Sequence, residues 1–313
     1  MLCYFFYDNC IMVSDSNNNI MSTLYPITVA SVTTAAFMYP IDVMRAIKMS
    51  YVADTRNLIT IPNHYKKFGI RGFVSKGMLP EIAKSSVMRI SKFYLFPIGC
   101  SILWSDKPQN CSSIQKGIAG AIITIPEIIM ISPLEVAKMG IQMDHKNLYK
   151  NNSINFIKHQ YKIHRINGLY VGWAGMQWRQ CFWSGTYFST LSWWKSKIEP
   201  IGNSIGIPTI VNQFIAGFLA GSVATIPNTP GDVVRSVVQK RLFGNSKLPA
   251  YGISVNGVLE HANIAKEIIY RNGIQGLYSG IGLKALHLGG SGALMAIFIP
   301  IFSNLMKISY DGV

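Results

Sequence analysis

The sequence predicts an all-α membrane protein: a six-transmembrane-helix bundle of three tandem two-helix repeats, with short amphipathic helices on one side. Three observations predict it. Of 313 residues, 49% are apolar and only 14% charged, against about 25% charged in soluble domains. The charge-free stretches are each about one bilayer long, and one short motif recurs three times at similar spacing. A formal charge of +15 on a chain of mean hydropathy +0.25 argues against a disordered tail and against a nucleic-acid reader, since either would pair basicity with low apolar content. Five cysteines (Cys3, Cys10, Cys100, Cys111, Cys181) are dispersed with no C-x-x-C pair. Neither a disulfide framework nor a metal site is expected from them.

In chain order, residues 1–20 read as a polar N-terminal tail. They lack the basic n-region and cleavage site of a secretory signal. The repeats are expected over 21–107, 108–204 and 205–309. A bilayer core about 30 Å thick needs roughly 20 apolar residues in a helix. Four stretches qualify: between Asp15 and Asp42, from Lys116 to Glu135 with only Glu127 interrupting, between Glu199 and Asp232, and between Lys284 and Lys307. Two weaker spans, Leu79 to Trp104 and Ala174 to Trp194, carry Glu81, Lys84, Arg89, Lys92 and Arg179. A charge at mid-bilayer costs about 2.5–3.5 kcal/mol on insertion scales, so these side chains should face protein or a water-filled cavity. The segments after the first, third and fifth spans are long and basic, which places all three on the topological inside and both termini on the other side.

The repeated motif is Pro-x-acid-x-x-base. It occurs as Pro40-Ile41-Asp42-Val43-Met44-Arg45, Pro133-Leu134-Glu135-Val136-Ala137-Lys138 and Pro230-Gly231-Asp232-Val233-Val234-Arg235, with the prolines 93 and 97 residues apart. A glycine motif follows each copy, ending in Gly77, Gly172 and Gly280. Proline inside a helix removes a donor and clashes with the preceding turn, so kinks are expected at Pro40, Pro133 and Pro230. Acid and base three residues apart share a helix face, and three copies around an axis place six alternating charges in a ring. The ring closes as three inter-helix pairs: Asp42 with Lys138, Glu135 with Arg235, and Asp232 with Arg45. Gln142 and Gln239, nine residues past their prolines, are placed to hydrogen-bond the pairs from beneath, with Met49 at that position in the first repeat. Gly217 and Gly221, one turn apart, read as helix-packing positions.

At these residues the chain resembles the mitochondrial carrier family, from about residue 20 to 308. The resemblance implies a multi-pass protein of the mitochondrial inner membrane, with the basic loops and short helices in the matrix. It also implies strict solute exchange by alternating access, with the charge ring as matrix gate and no enzymatic activity, cofactor or metal. The expected partners are a small anionic metabolite and membrane lipid, including cardiolipin at the matrix side, with no nucleic acid and a monomeric chain. The base that usually follows the ring base by two positions is replaced by Ile47, Gly140 and Val237.

Substrate class is read from the cavity. At 100° per residue Glu81, Lys84, Arg89 and Lys92 fall within an arc of about 140° on the second span, so all can face the centre. The fourth span adds Arg179 and Gln180, and the sixth adds Lys284 and His287. Clustered bases at mid-membrane depth suit a small anion, and Arg holds a carboxylate through two parallel hydrogen bonds. By resemblance, Arg followed by Gln on the fourth span is similar to the keto-acid class. Trp178-Arg179-Gln180, Met88 to Phe93, Glu127 and Leu288 to Ala293 are similar to oxodicarboxylate carriers. The expected function is exchange of 2-oxodicarboxylates (2-oxoadipate or 2-oxoglutarate), with a citrate or tricarboxylate carrier, or a carrier-like adaptor that does not transport, as alternatives. His287 stands where that subfamily has a base, which either shifts selectivity or makes it pH-dependent near the histidine pKa of about 6.5. The acids that usually close the opposite gate align with Pro97, Ser192 and Pro300, so a bias toward the cytoplasm-open state is expected.

Overall fold

The computed structural model describes residues 20–50, 52, 60–106, 108, 110–144, 146–245 and 247–311. Residues 1–19, expected as the tail, and the side chains of Arg89 and Pro300 lie outside that description. Among the described residues the secondary structure is helical throughout. Five long helices, α1 (Ile20–Ser50), α4 (Met78–Trp104), α8 (Trp173–Ser204), α9 (Thr209–Gly244) and α11 (Ile281–Asp311), run 27 to 36 residues. At 1.5 Å per residue each exceeds a bilayer core. A sixth long rod is made of α5 (Ser113–Ile122) and α6 (Thr124–Gln142), which meet at a bend of 41°.

Between them lie α2 (Ile61–Phe68), α3 (Arg71–Val74), α7 (Ser153–His164) and α10 (Val255–Gly276). The three longer ones start alike: Thr60, Asn152 and Ser254 each accept a hydrogen bond from a backbone N–H of the first turn. That satisfies donors the helix start would otherwise leave open.

Hydropathy alone identifies fewer spans than the spacing of charges. Among the described residues only Tyr25–Ser50 of α1 is long and apolar enough to cross a membrane, with the bent α5–α6 pair as a second. In α4 and α8 the polar side chains Glu81, Lys84, Arg179 and Gln180 lower the mean hydropathy, and all four are buried inside the protein.

Pro40, Pro133 and Pro230 each stand inside a continuous helix. The break in the third rod falls ten residues before Pro133, where Ile123 separates the two helices. Pro126 supplies the cause: it has no N–H to give the Ile122 carbonyl, and its ring crowds that group.

The repeats close on each other in a cycle at the end carrying the motif. Gly77, Gly172 and Gly280 precede α4, α8 and α11 with φ of +80°, +83° and +78°, a left-handed conformation that favours glycine. A Cβ on Gly77 would lie 3.0 Å from the Lys138 carbonyl, on Gly172 2.9 Å from Gln239, and on Gly280 3.2 Å from Met49. The three glycine turns therefore seat against α6, α9 and α1 in turn, closing a cycle. An apolar core of Val136, Ala137, Ile141, Phe156, Val171, Val233, Val237 and Ile268 joins these elements below the ring. A second, with Phe96, Cys100, Cys111, Tyr187, Phe188, Ala216 and Ala220, joins α4, α5, α8 and α9 at the opposite end. Gly221 does not pack against a helix as expected: a Cβ there meets nothing within 4 Å, because it lines the central cavity.

Candidate functional site

The motif residues come together where α1, α6 and α9 converge. The Lys138 ammonium pairs with Asp42, Arg235 Nη1 lies 2.5 Å from Glu135 Oε1, and Arg45 Nη1 lies 3.0 Å from Asp232 Oδ2. Each acid thus meets the base of the next repeat, in the same cyclic sense as the glycine turns. Arg45 and Arg235 also reach back to the acid of their own helix, at 2.5 and 2.7 Å. All six are at most 4% exposed. Removing any one of them would leave its partner buried without full compensation.

Three further side chains join the ring that motif spacing alone did not place there. Glu81 of α4 forms ion pairs with Lys138 at 2.6 Å and Lys84 at 2.5 Å, while Lys84 also lies 2.9 Å from Glu135. Lys284 of α11 is 3.2 Å from Asp232 Oδ2 and donates to Asn228. Lys84 and Lys284, expected as free cavity bases, line the cavity but hold their ammonium groups on ring carboxylates. His287 Nε2 stands 3.9 Å from Asp42 Oδ1.

Beneath the ring the two glutamines diverge. The Gln142 amide donates to Tyr39 Oη at 3.0 Å and to Asp42 Oδ2 at 3.4 Å. Gln239 donates instead to the Val171 carbonyl at 3.0 Å. The reason is the glycine turn of the second repeat, whose Gly172 sits directly on Gln239. Lys76, next to Gly77 and outside the long helices, donates to the Asp144 carbonyl at 2.5 Å and lies 3.8 Å from the Phe68 ring. Burial pulls its ammonium down to about 8, against the attraction of Asp144.

Above the ring is a cavity of about 200 Å³ whose floor includes Asp42, Arg45 and Lys284 and whose walls include Lys92, Arg179, Gln180 and Trp183. It is smaller than the roughly 300–1,000 Å³ clefts that hold drug-sized ligands. Arg179 is 8% exposed, yet its Nε and Nη2 have no hydrogen-bond partner, and Nη1 is 3.9 Å from Asp232. Lys92 lies 3.3 Å from the Ser184 hydroxyl, 3.8 Å from Glu127 and 5.2 Å from the Trp183 ring centroid. Trp183 stacks on Tyr187, with centroids 4.9 Å apart and an interplanar angle of 6°.

Around the ring and cavity, Arg45, Lys84, Lys92, Lys138, Arg179, Arg235 and Lys284 face Asp42, Glu81, Glu127, Glu135 and Asp232. Among the described side chains, seven bases against five carboxylates leave a formal excess of two positive charges. An environment of that sign and size attracts a compact anion and repels a cation.

The family described as mitochondrial carrier protein matches this chain over residues 109–200 and 208–309. The chain belongs to that family, whose seat is the mitochondrial inner membrane. Among individual proteins it is similar to the probable mitochondrial 2-oxodicarboxylate carrier of Dictyostelium discoideum, at 27% identity over 89% of this chain and 88% of the relative. Mitochondrial 2-oxodicarboxylate carrier 2 of Saccharomyces cerevisiae is 27% identical over 96% and 98%, and the mitochondrial 2-oxodicarboxylate carrier of Mus musculus 26% over 86% and 89%.

Proposed function

We propose that the chain is an antiporter exchanging 2-oxodicarboxylates, 2-oxoadipate or 2-oxoglutarate, across the inner membrane by alternating access. Six spans carry this reading: α1, α4, α5 with α6, α8, α9 and α11, in repeats 21–107, 108–204 and 205–309, acting as a monomer with lipid at the matrix side. The observation that carries the substrate class is the Arg179 head, buried at the cavity wall with two donor nitrogens unpartnered. Two parallel N–H donors fit one carboxylate. Lys92, 3.8 Å from its nearest carboxylate, serves the other, and Gln180 completes the described binding set, to which the sequence adds Arg89. The resemblance to 2-oxodicarboxylate carriers favours the oxo acids, which places citrate second.

The ring is the matrix gate, and its coupling to the cavity runs through shared cations. Lys84, Lys284 and Arg179 all line the cavity while neighbouring ring carboxylates. An arriving anion competes for them, so its binding weakens the closed ring. A ligand moves a conformational equilibrium only through such a differential interaction. With the ring closed, the cavity belongs to the cytoplasm-open state, and the missing acids at Pro97, Ser192 and Pro300 bias the empty protein toward it.

Liposomes containing the purified protein test the reading. Loaded with 2-oxoglutarate or 2-oxoadipate they should take up labelled 2-oxoglutarate, and loaded with buffer they should not. Lack of counter-exchange for every anion, malate and citrate included, would refute transport and leave the adaptor reading. Faster exchange of citrate than of either oxo acid would reverse the substrate order.

A further inference from the structure

Glu127 on α6 is a fully buried carboxylate that the exchange reading leaves without a task. It lies one layer behind the cavity wall. Its Oε1 is 3.8 Å from the Lys92 ammonium of α4 and 3.5 Å from the Gln180 amide of α8, which donates to it, whereas Oε2 has no hydrogen-bond partner. The charged groups that face it are Lys92 from α4 and Arg179 from α8. On its own helix the nearest charge is Glu135, two turns away and held by Arg235 and Lys84.

Burial works against the ionised form of Glu127, and with the cavity empty it is Lys92 and Arg179 that offset that penalty. A dicarboxylate that pairs with these two cations removes that support and brings its own negative charge beside Glu127. Two carboxylates sharing a site of low dielectric cannot both stay ionised cheaply, so the proton affinity of the pair rises. The ligand's carboxylates retain Lys92 and Arg179, whereas Oε2 of Glu127 has an open lone pair. We propose that Glu127 takes up one proton from water as the dicarboxylate binds, so that the occupied site holds a dianion together with a proton. The inference rests on the dicarboxylate reading above. In the step one O–H bond forms on Glu127, one water-borne proton is consumed, and the site gains one negative charge net instead of two. By linkage, affinity strengthens as pH falls, by up to tenfold per pH unit wherever free Glu127 is ionised and bound Glu127 is protonated.

The test uses the full chain, purified in detergent and titrated calorimetrically with 2-oxoglutarate near pH 7 in phosphate and in Tris. The difference in heat between buffers of unlike ionisation enthalpy counts protons taken up. The expected result is close to one proton per anion for the wild type and close to none for E127Q, which keeps the side-chain shape. In liposomes the KM for exchange should rise with pH in the wild type and stay flat in E127Q. Infrared difference spectra of the wild type alone should gain a protonated-carboxyl band on binding, which keeps the proposal testable if E127Q fails to fold. In H287N the proton count should persist, whatever happens to turnover. Anion binding without proton uptake, or uptake that survives E127Q and vanishes in H287N, would overturn the proposal while leaving the transport reading intact. If no dicarboxylate binds, the transport reading falls and this inference with it.

Discussion

Replacing Arg179 by alanine separates a binding role from a structural one. In the folded chain the guanidinium makes no close ion pair: its nearest carboxylate contact is 3.9 Å, and Nε and Nη2 are unpartnered. Its loss therefore removes little native-state bonding and relieves the burial of a poorly compensated charge. Stability should hold or rise slightly. A bound carboxylate, by contrast, loses two charge-assisted hydrogen bonds of about 1.5–3 kcal/mol each. At about 1.4 kcal/mol per tenfold, affinity should fall by roughly 10² to 10⁴. Arg179→Lys should land between, since an ammonium keeps the charge without the planar fork. The assay pairs exchange of labelled 2-oxoglutarate in liposomes with thermal unfolding of the same preparations. Exchange within threefold of wild type in Arg179→Ala would refute the assignment. So would lost exchange that tracks a large drop in melting temperature, because the residue would then be holding the fold.

Other predictions follow from the same contacts. Glu135→Gln leaves Lys84 and Arg235 with one carboxylate each, Glu81 and Asp232, so the destabilisation should lie near the lower end of the 3–5 kcal/mol seen for broken buried pairs, about 3 kcal/mol by thermal or denaturant unfolding. Gly140→Ala should cost about 1–3 kcal/mol, because its Cβ would fall 2.0 Å from the buried Phe156 ring, and adding Phe156→Leu should recover part of it. Glu260, on α10 outside the long helices, is held up at about 7 by burial, with Arg241 pulling the other way. A carboxyl raised above its unfolded value of about 4.3 binds more protons when folded, so its stabilising contribution is full below that pH and lost as pH rises through about 7. Melting temperature should therefore fall more between about pH 5 and 7.5 in the wild type than in Glu260→Gln. Equal slopes would remove Glu260 as the cause.

The charge ring was legible because its information is local. Proline, acid and base at fixed offsets specify a face of one helix, and threefold repetition specifies what stands opposite. Asp42 meets Lys138, Glu135 meets Arg235 and Asp232 meets Arg45 at the positions that spacing alone anticipates. The cavity bases were legible only as a list. Periodicity says that Lys84 and Lys92 share a face, but not that the four-carbon stem of one reaches Glu135 while the other stops 3.8 Å short of Glu127. That distinction depends on depth along the axis and on which helix lies across, neither of which a single segment encodes.

By itself, then, the sequence determined the helical class, the three repeats' motif pairs and the basic character of the interior, since each follows from periodicity and side-chain chemistry along one helix. Only the tertiary structure decided which cations are already spoken for. It joined Glu81, Lys84 and Lys284 to the ring, sent Gln239 to the Val171 carbonyl, added a bend at Ile123 between α5 and α6, and left Arg179 with unpartnered nitrogens at the cavity wall. The physical reason is that a buried charge is defined by the groups across from it, and those come from other helices, from 35 residues away for Lys92 and Glu127 to 187 for Arg45 and Asp232.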